Sequence, residues 1–317
     1  MDSQTALRSS ARTARYLLTR LAYMIPVVWL VVSVVFLMIH LVPGDPIQAM
    51  LGEGAAGADV AAARHAYGLD EPLPLQYVHY WSGVLHGDLG HSLRQNKPVG
   101  QLVAAAWPST LRLALCAMLV AVLLAIPAGV HSATRRNRWD DRALSFFSLL
   151  GLSFPNFALG PILILLFAIQ LDLLPVSGAS GVGAFVLPAV TMGLSLAAIL
   201  TRMVRNSMLE ELGQDYIRTA RAKGLSESRV VYGHALRNAL IPVVTVLGLQ
   251  FGALLAGTIV TETIFAWPGL GRLTINAISN RDYALVQGCL LTIGLTYVAV
   301  NFLTDLAYSA LNPRIRQ

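Results

Sequence analysis

The sequence predicts an all-α integral membrane protein with six transmembrane helices, and three observations carry that prediction. Of its 317 residues, 55% are hydrophobic and only 13% charged, against about 25% charged in soluble domains. Stretches 21–41, 113–130, 143–171, 185–201, 238–261 and 283–304 are uncharged. Each is long enough for a helix to cross about 30 Å of hydrocarbon. The basic residues are also asymmetric. With a cytoplasmic amino terminus, the inside segments collect Arg8, Arg12, Arg15, Arg20, Arg135, Arg136, Arg138, Arg142, Arg202, Arg205, Arg314, Arg316 and the five basic residues of one long loop. Only Arg64, Arg94, Lys97, Arg112, Arg272 and Arg281 remain outside. The positive-inside rule therefore puts both termini and that loop in the cytoplasm. The pI near 9.6 follows from this asymmetry and calls for no nucleic-acid partner.

In chain order, residues 1–20 form a basic cytoplasmic segment and 21–41 the first span. That span is too long for a signal-peptide core, and Leu41 to Pro46 offers no small-x-small cleavage site, so it reads as a retained helix. Residues 42–107 form a large extracytoplasmic segment that opens with the sharp turn Pro43-Gly44-Asp45-Pro46. Within it a helix is expected over 59–67 with Asp59 as cap. Glu71-Pro72-Leu73-Pro74 breaks the chain, and 76–85 forms a second helix with Tyr77, Tyr80 and Trp81 at the membrane boundary. About 65 residues with little apolar content suit a cap on the bundle better than a free-standing domain.

Three spans contain breaks that a plain anchor would not need: Pro127 in the second, Ser153-Phe154-Pro155-Asn156 in the third and Pro188 early in the fourth. Proline frees a carbonyl that neighbours or water must satisfy, so these positions mark kinks beside packing points or a cavity. Polar groups inside spans tend to face protein or water, which makes Ser153, Asn156 and Gln250 candidate pore-lining residues. The competing reading makes Ser153 and Asn156 hydrogen-bonders of the kink itself. The fourth span is expected to run past Arg202, which can snorkel. Small residues Gly248, Gly252, Ala253, Ala256 and Gly257 predict close packing of the fifth span. Cys116 and Cys289 fall within spans and read as small hydrophobes.

Residues 208–237 are the anomaly. A connector of that length and order is a functional element. Leu212, Tyr216 and Ala220 recur every four residues as an apolar stripe, Gly224 ends the helix, and Ser226 caps a second helix on which Val231 and Ala235 share a face. Arg218, Arg221, Lys223, Arg229 and Arg237 are offset by Glu210, Glu211, Asp215 and Glu227. That balance suits a helical hairpin docking into a protein groove rather than a polybasic lipid tract.

Several chemistries are excluded. Only Lys97 and Lys223 exist, neither behind a glycine, so no phosphate-binding loop is available. No zinc, thiol-redox or serine-nucleophile motif occurs. Arg112, Glu262 and Asp305 lie near span ends, where a self-sufficient proton-coupled carrier would want charges at mid-membrane.

Asp215-Tyr216-Ile217-Arg218-Thr219-Ala220-Arg221-Ala222-Lys223-Gly224-Leu225 resembles the "EAA" loop of ABC-importer permeases, in the form of the dipeptide/oligopeptide/nickel group. Leu41 to Pro46, Tyr67-Gly68-Leu69-Asp70, Gly87-Asp88-Leu89-Gly90, Glu262 to Gly271, Arg281-Asp282-Tyr283 and Asn312 to Arg316 resemble further motifs of that group, in the same order. The generic Glu-Ala-Ala positions fall here on Arg218, Thr219 and Ala220, and the following proline comes late, at Pro242. Arg218, Arg221 or Lys223 therefore stand in for the acidic contact of the generic loop.

The resemblance implies a type I, MetI-like permease fold, with a core domain over 108–312, a coupling loop over 208–237 and a cytoplasmic tail over 313–317. Its ATPase-coupling residues would be Asp215, Tyr216, Arg218, Thr219, Ala220, Arg221, Ala222, Lys223 and Gly224. It also implies a bacterial inner-membrane location, a second homologous permease, two cytoplasmic ATPases and an extracytoplasmic solute-binding protein. No cofactor is expected on this chain, since ATP and magnesium would sit in the partner ATPases. Short peptides are the expected cargo; nickel chelates, glutathione or opines are the alternatives within the group. A stand-alone secondary carrier and a membrane scaffold are the readings from other classes.

Overall fold

The computed structural model describes residues 3–41, 47–48, 56–66, 68–92 and 94–311, with side chains 1–18, 63, 66, 156 and 307–317 outside the description. The Pro43–Pro46 turn, Tyr67 and the tail motif therefore lie outside the described residues. Among those described, five helices are long and apolar enough to cross a membrane, or six if one bent pair counts as a single span.

The chain divides into two compact units. The first combines residues 1–109 with 268–302. It contains α1 (Ser3–Leu41), α2 (Gly57–Ala66), α3 (Leu73–His86), the strand pair β1 (His91–Ser92) and β2 (Lys97–Pro98), and the start of α4 (Val99–Thr134). It continues with α10 (Leu270–Ser279) and most of α11 (Tyr283–Leu311). Asp59 sits in the first turn of α2 rather than at its cap. α3 begins earlier than expected because Pro74 is tolerated in a first helical turn, where no amide partner is required.

The aromatic residues of α3 pack on α1. Tyr77 sits edge-on to Phe36 at 5.2 Å and its hydroxyl is 2.6 Å from that of Ser33. Tyr80 and Trp81 pack against Val32 and Val35. α1 in turn meets α11: a Cβ on Gly294 would stand 2.7 Å from Val31 Cγ1. Asp282 caps α11, accepting from the Leu285 amide at 3.3 Å, and its other carboxylate oxygen accepts from Ser92 of the strand pair. The Arg281-Asp282-Tyr283 motif thus ties the strand pair to the start of α11.

The second unit is built on residues 110–267. It holds the rest of α4, then α5 (Trp139–Ser153) and α6 (Asn156–Leu163), which continues as π-helix over Ile164–Gln170. Next come α7 (Gly183–Leu212) and α8 (Asp215–Ala222). A π-helical stretch over Arg229–Ala235 then leads into α9 (Leu236–Ile264). α4 and α7 cross through reciprocal glycines. A Cβ on Gly129 would stand 2.9 Å from the Thr201 carbonyl oxygen, and one on Gly193 would stand 2.7 Å from that of Ala117. Backbone-to-backbone approach of this kind needs small residues.

Three expectations change here. α4 and α7 run unbroken through Pro127 and Pro188, because local adjustment and neighbours can satisfy the freed carbonyl. Of these three proline sites, Phe154-Pro155 is the one that breaks the helix, with Phe154 extended (φ −84°, ψ 120°), the conformation a following proline favours. Within the fifth span, Gly248 packs tightly, since a Cβ there would run into the Thr304 side chain, whereas Gly257 faces open space. Cys289 is buried and free, as expected of a small hydrophobe.

Candidate functional site

The 208–237 segment is almost entirely helical. α7 carries it to Leu212, and Gln214 is extended (ψ 152°) before α8 begins. This break resets the helical phase, so the Leu212, Tyr216, Ala220 stripe does not form. Ile217 and Ala220 are instead the buried residues of α8. Gly224 ends α8 with φ +77°. Its amide bonds Arg221 O at 2.9 Å and the Leu225 amide bonds Ala220 O at 3.4 Å, the paired bonds of a Schellman C-cap. Ser226 precedes the next helix and its carbonyl accepts from Val230 N at 3.0 Å. Val231 and Ala235 are both buried, as the shared face requires, and Val230 joins them.

The hairpin sits on a single apolar seat. Ile217, Ala220, Val230, Val231 and Ala235 share one cluster with Val204 and Met208 of α7, Val130 and Ala133 of α4, and Ala239 and Val243 of α9. Burying one such aliphatic side chain contributes about 1.5–3 kcal/mol, so the seat far outweighs any single exposed ion pair. Tyr216 is pinned at the rim: its hydroxyl donates to Glu211 and accepts from Asn238 Nδ2 at 3.0 Å. Partial burial first, and then Glu211, raise the phenol above its ordinary range.

The opposite face is exposed and polar. Asp215, Arg218, Thr219, Arg221, Ala222, Lys223 and Gly224 are all exposed in this chain. Arg218 lies 3.4 Å from Asp215, and the Thr219 hydroxyl donates to Asp215 O at 3.0 Å. Arg221 grips Glu227 across the Gly224 turn through two bonds, 2.6 and 3.1 Å. The hydrogen bond from Arg221 holds the Glu227 carboxyl below the usual glutamate range. Sequence reading missed this clasp, although a cation and an acid six residues apart around a glycine were its visible signal.

A second polar feature was also missed. Asp141, 3% exposed, stands at the start of α5 and takes a bidentate Arg205 from α7, Nε to Oδ1 at 2.7 Å and Nη2 to Oδ2 at 2.9 Å. It also accepts from the Ser132 hydroxyl of α4 and from the Asn137 amide at 2.8 Å. Three helices meet on one carboxylate. The available signal was an acid beside an arginine-rich turn and an arginine on a long apolar helix.

The broken third span forms an elbow, α5 meeting 157–170 at 109°. A cavity of about 560 Å³ lies in its bend, lined chiefly by Phe147, Phe154, Leu159, Leu194, Ala198 and Thr201. Of the three pore candidates, Ser153 is exposed at the elbow and its hydroxyl donates to Leu149 O at 3.0 Å. Asn156 starts α6, and its side chain lies outside the described residues. Gln250 is half-buried on α9. The structure groups Ser153 and Asn156 in one bend, while Gln250 belongs to a separate helix.

Comparison with known proteins is direct. Residues 121–317 match the family model described as "Binding-protein-dependent transport system inner membrane component". Residues 13–114 match the model for the N-terminal part of such components. Relatives named glutathione transport system permease protein GsiC are 45% identical in Pectobacterium atrosepticum and 43% in Escherichia coli K12. Each aligns over 301 residues, 95% of this chain and 98% of the relative. Among solved structures, the inward-facing MetNI methionine ABC transporter matches at a TM-score of 0.58 with 18% identity, covering 67% of this chain and 97% of that one. That likeness speaks to the fold alone, and it agrees with the MetI-like permease fold. Nearly all-helical architecture, multiple apolar spans and two family matches that together take in most of the chain converge: the chain belongs to the inner-membrane permeases of binding-protein-dependent ABC importers.

Proposed function

We propose that this chain is one of two homologous permeases forming a translocation pore, and that the 208–237 hairpin docks a cytoplasmic ATPase. Two such ATPases would hold the ATP and magnesium; the chain itself hydrolyses nothing, in keeping with its lack of a phosphate-binding loop. Both termini and the hairpin then face the cytoplasm, as the arginine distribution favours. An extracytoplasmic binding protein delivers the cargo to the opposite side.

The observation that carries this reading is the two-faced hairpin: one face locked into the core by Ile217, Val230 and Val231, the other offering Asp215, Arg218, Thr219, Ala222 and Lys223 to a groove. A rigidly seated helix can pass on a partner's movement, where a loose loop would absorb it. Coupling requires that the ATP-bound ATPase pair prefers one state of the pore, since a ligand without differential affinity shifts no equilibrium. Ser153, Asn156 and Gln250 are the proposed pore-lining positions.

For cargo we propose a short peptide, with glutathione as the member of that class to which the relatives' names point. The test is a calorimetric screen of the cognate binding protein with glutathione, dipeptides, oligopeptides, nickel chelates and opines. Tight binding of glutathione or another short peptide is expected; exclusive binding of a nickel chelate or an opine would overturn the cargo assignment. Docking is tested by co-purification, in which the hairpin-intact chain should retain its ATPases. Normal retention after replacing 215–224 with a glycine-serine linker would overturn it.

A further inference from the structure

The seat of the hairpin and the anchor of the elbow use the same two helices. Val204 and Met208 of α7 and Val130 and Ala133 of α4 support the hairpin. Arg205 and Ser132, interleaved with them in sequence, hold Asp141. From Asp141, α5 runs without interruption to Ser153, about 18 Å at 1.5 Å per residue, and ends at the elbow. Along the way Leu144, Phe147, Ser148 and Gly151 line the cavity in the bend.

We propose that the Asp141–Arg205 pair is a positioning element for transport, holding the broken helix to the two helices beneath the hairpin so that hairpin movement reaches the elbow. This rests on the hairpin being the ATPase dock. Geometry favours the role over that of a simple staple. The pair is bidentate, which fixes direction as well as distance. Asp141 sits in the first turn of α5, where a carboxylate is also favoured by the helix dipole, and it satisfies the Asn137 amide behind it. A rotation of α7 therefore pulls on the end of α5 through a stiff joint. Apolar packing would let the helices slide; this joint does not.

The test must separate coupling from folding. Replacing a buried ion pair by apolar residues of similar volume often leaves stability intact, whereas removing one partner strands a charge. The informative variant is therefore Ser132→Ala, Asp141→Leu and Arg205→Met combined, compared with wild type in the assembled transporter. Membrane abundance and ATPase co-purification should stay within about twofold of wild type. ATP hydrolysis should persist but lose its stimulation by loaded binding protein, and uptake should fall about tenfold, within the usual range of coupling free energies.

Wild-type uptake at equal abundance would overturn the proposal. So would loss of ATPase attachment in the variant while wild type retains it, because the pair would then serve the dock itself. Failure of the wild-type chain to retain ATPases would instead defeat the docking reading and this proposal with it. If the triple variant fails to accumulate, Arg205→Lys decides. It keeps the charge but loses the planar fork, so uptake should drop severalfold with attachment normal; unchanged uptake would overturn the role.

Discussion

Gly224 is the sharpest place to perturb the hairpin. Its φ of +77° lies in the left-handed region, and a Cβ there would meet nothing within 4 Å. Within this chain a Cβ at position 224 therefore brings backbone strain without a steric clash. An alanine in this conformation costs about 1–2 kcal/mol, and a β-branched valine more, on the order of 3 kcal/mol. The chain on either side cannot move to relieve this without unburying Ile217 or Val230, both 0% exposed, each contributing about 1.5–3 kcal/mol. For alanine the seat wins and the strain is tolerated. For valine the two terms are comparable, so the angle between α8 and the following helix shifts.

Gly224→Asn should behave nearly as wild type, since asparagine enters the left-handed region more readily than other residues. Gly224→Ala should lose uptake by at most about 5–30-fold, the factor to which 1–2 kcal/mol corresponds if it falls wholly on the docking-competent state. Gly224→Val should lose most uptake while the protein still inserts and accumulates, because the spans lie outside the hairpin. The assay is substrate uptake with membrane abundance measured by blot and ATPase retention by co-purification. Loss of retention would assign the residue to docking, and retention without uptake would assign it to coupling. Normal uptake by Gly224→Val at normal abundance would refute the reasoning.

Other predictions concern the surrounding framework. Gly193→Ala forces a Cβ to within 2.7 Å of the Ala117 carbonyl oxygen; overpacking of this kind typically costs about 1–3 kcal/mol, so thermal stability in detergent should fall while Gly257→Ala, facing open space, leaves it unchanged. The Arg221–Glu227 clasp is exposed and should contribute well under 1 kcal/mol. Because Glu227 titrates below its unfolded range of about 4.5, the contribution is present above that pH and is lost as pH falls through the depressed folded value. Hairpin protection in hydrogen exchange should therefore match between wild type and Glu227→Gln at low pH and differ slightly at neutral pH; a difference confined to low pH would contradict it. Cysteine at Ser153, Asn156 or Gln250 should react with a hydrophilic thiol reagent in at least one nucleotide state, and protection in every state would remove that position from the pore. Asp282→Ala removes the α11 cap and the Ser92 bond, with a cap alone worth about 1 kcal/mol, so the segment around the strand pair should become more sensitive to protease than in wild type.

What the sequence made legible followed from local chemistry. The spans were visible because a bilayer excludes charge along some twenty consecutive residues, and the elbow because Pro155 cannot continue a helix begun before it. Gly224 announced the hairpin, and its positive φ is the conformation that glycine serves. The phase of α8 was not legible: a two-residue break at Gly213-Gln214 shifted burial from Tyr216 to Ile217, and periodicity counted across it misled. Pro127 and Pro188 overstated disruption because their neighbours absorb it. Arg205 and Asp141 are 64 residues apart, and no local pattern links them; their pairing exists only once α5 and α7 pack. Gly248 and Gly257 looked alike in the sequence, yet only Gly248 meets a neighbouring residue.

The central claim is that this permease moves a short peptide inward at the expense of ATP hydrolysed elsewhere. The most direct measurement is uptake of labelled glutathione into proteoliposomes holding the purified complex, with ATP on the hairpin side and binding protein on the other. Uptake should require ATP, the partner ATPases and the binding protein together, and should vanish when any one is omitted. Uptake by this chain alone, driven by an ion gradient without ATP, would contradict it.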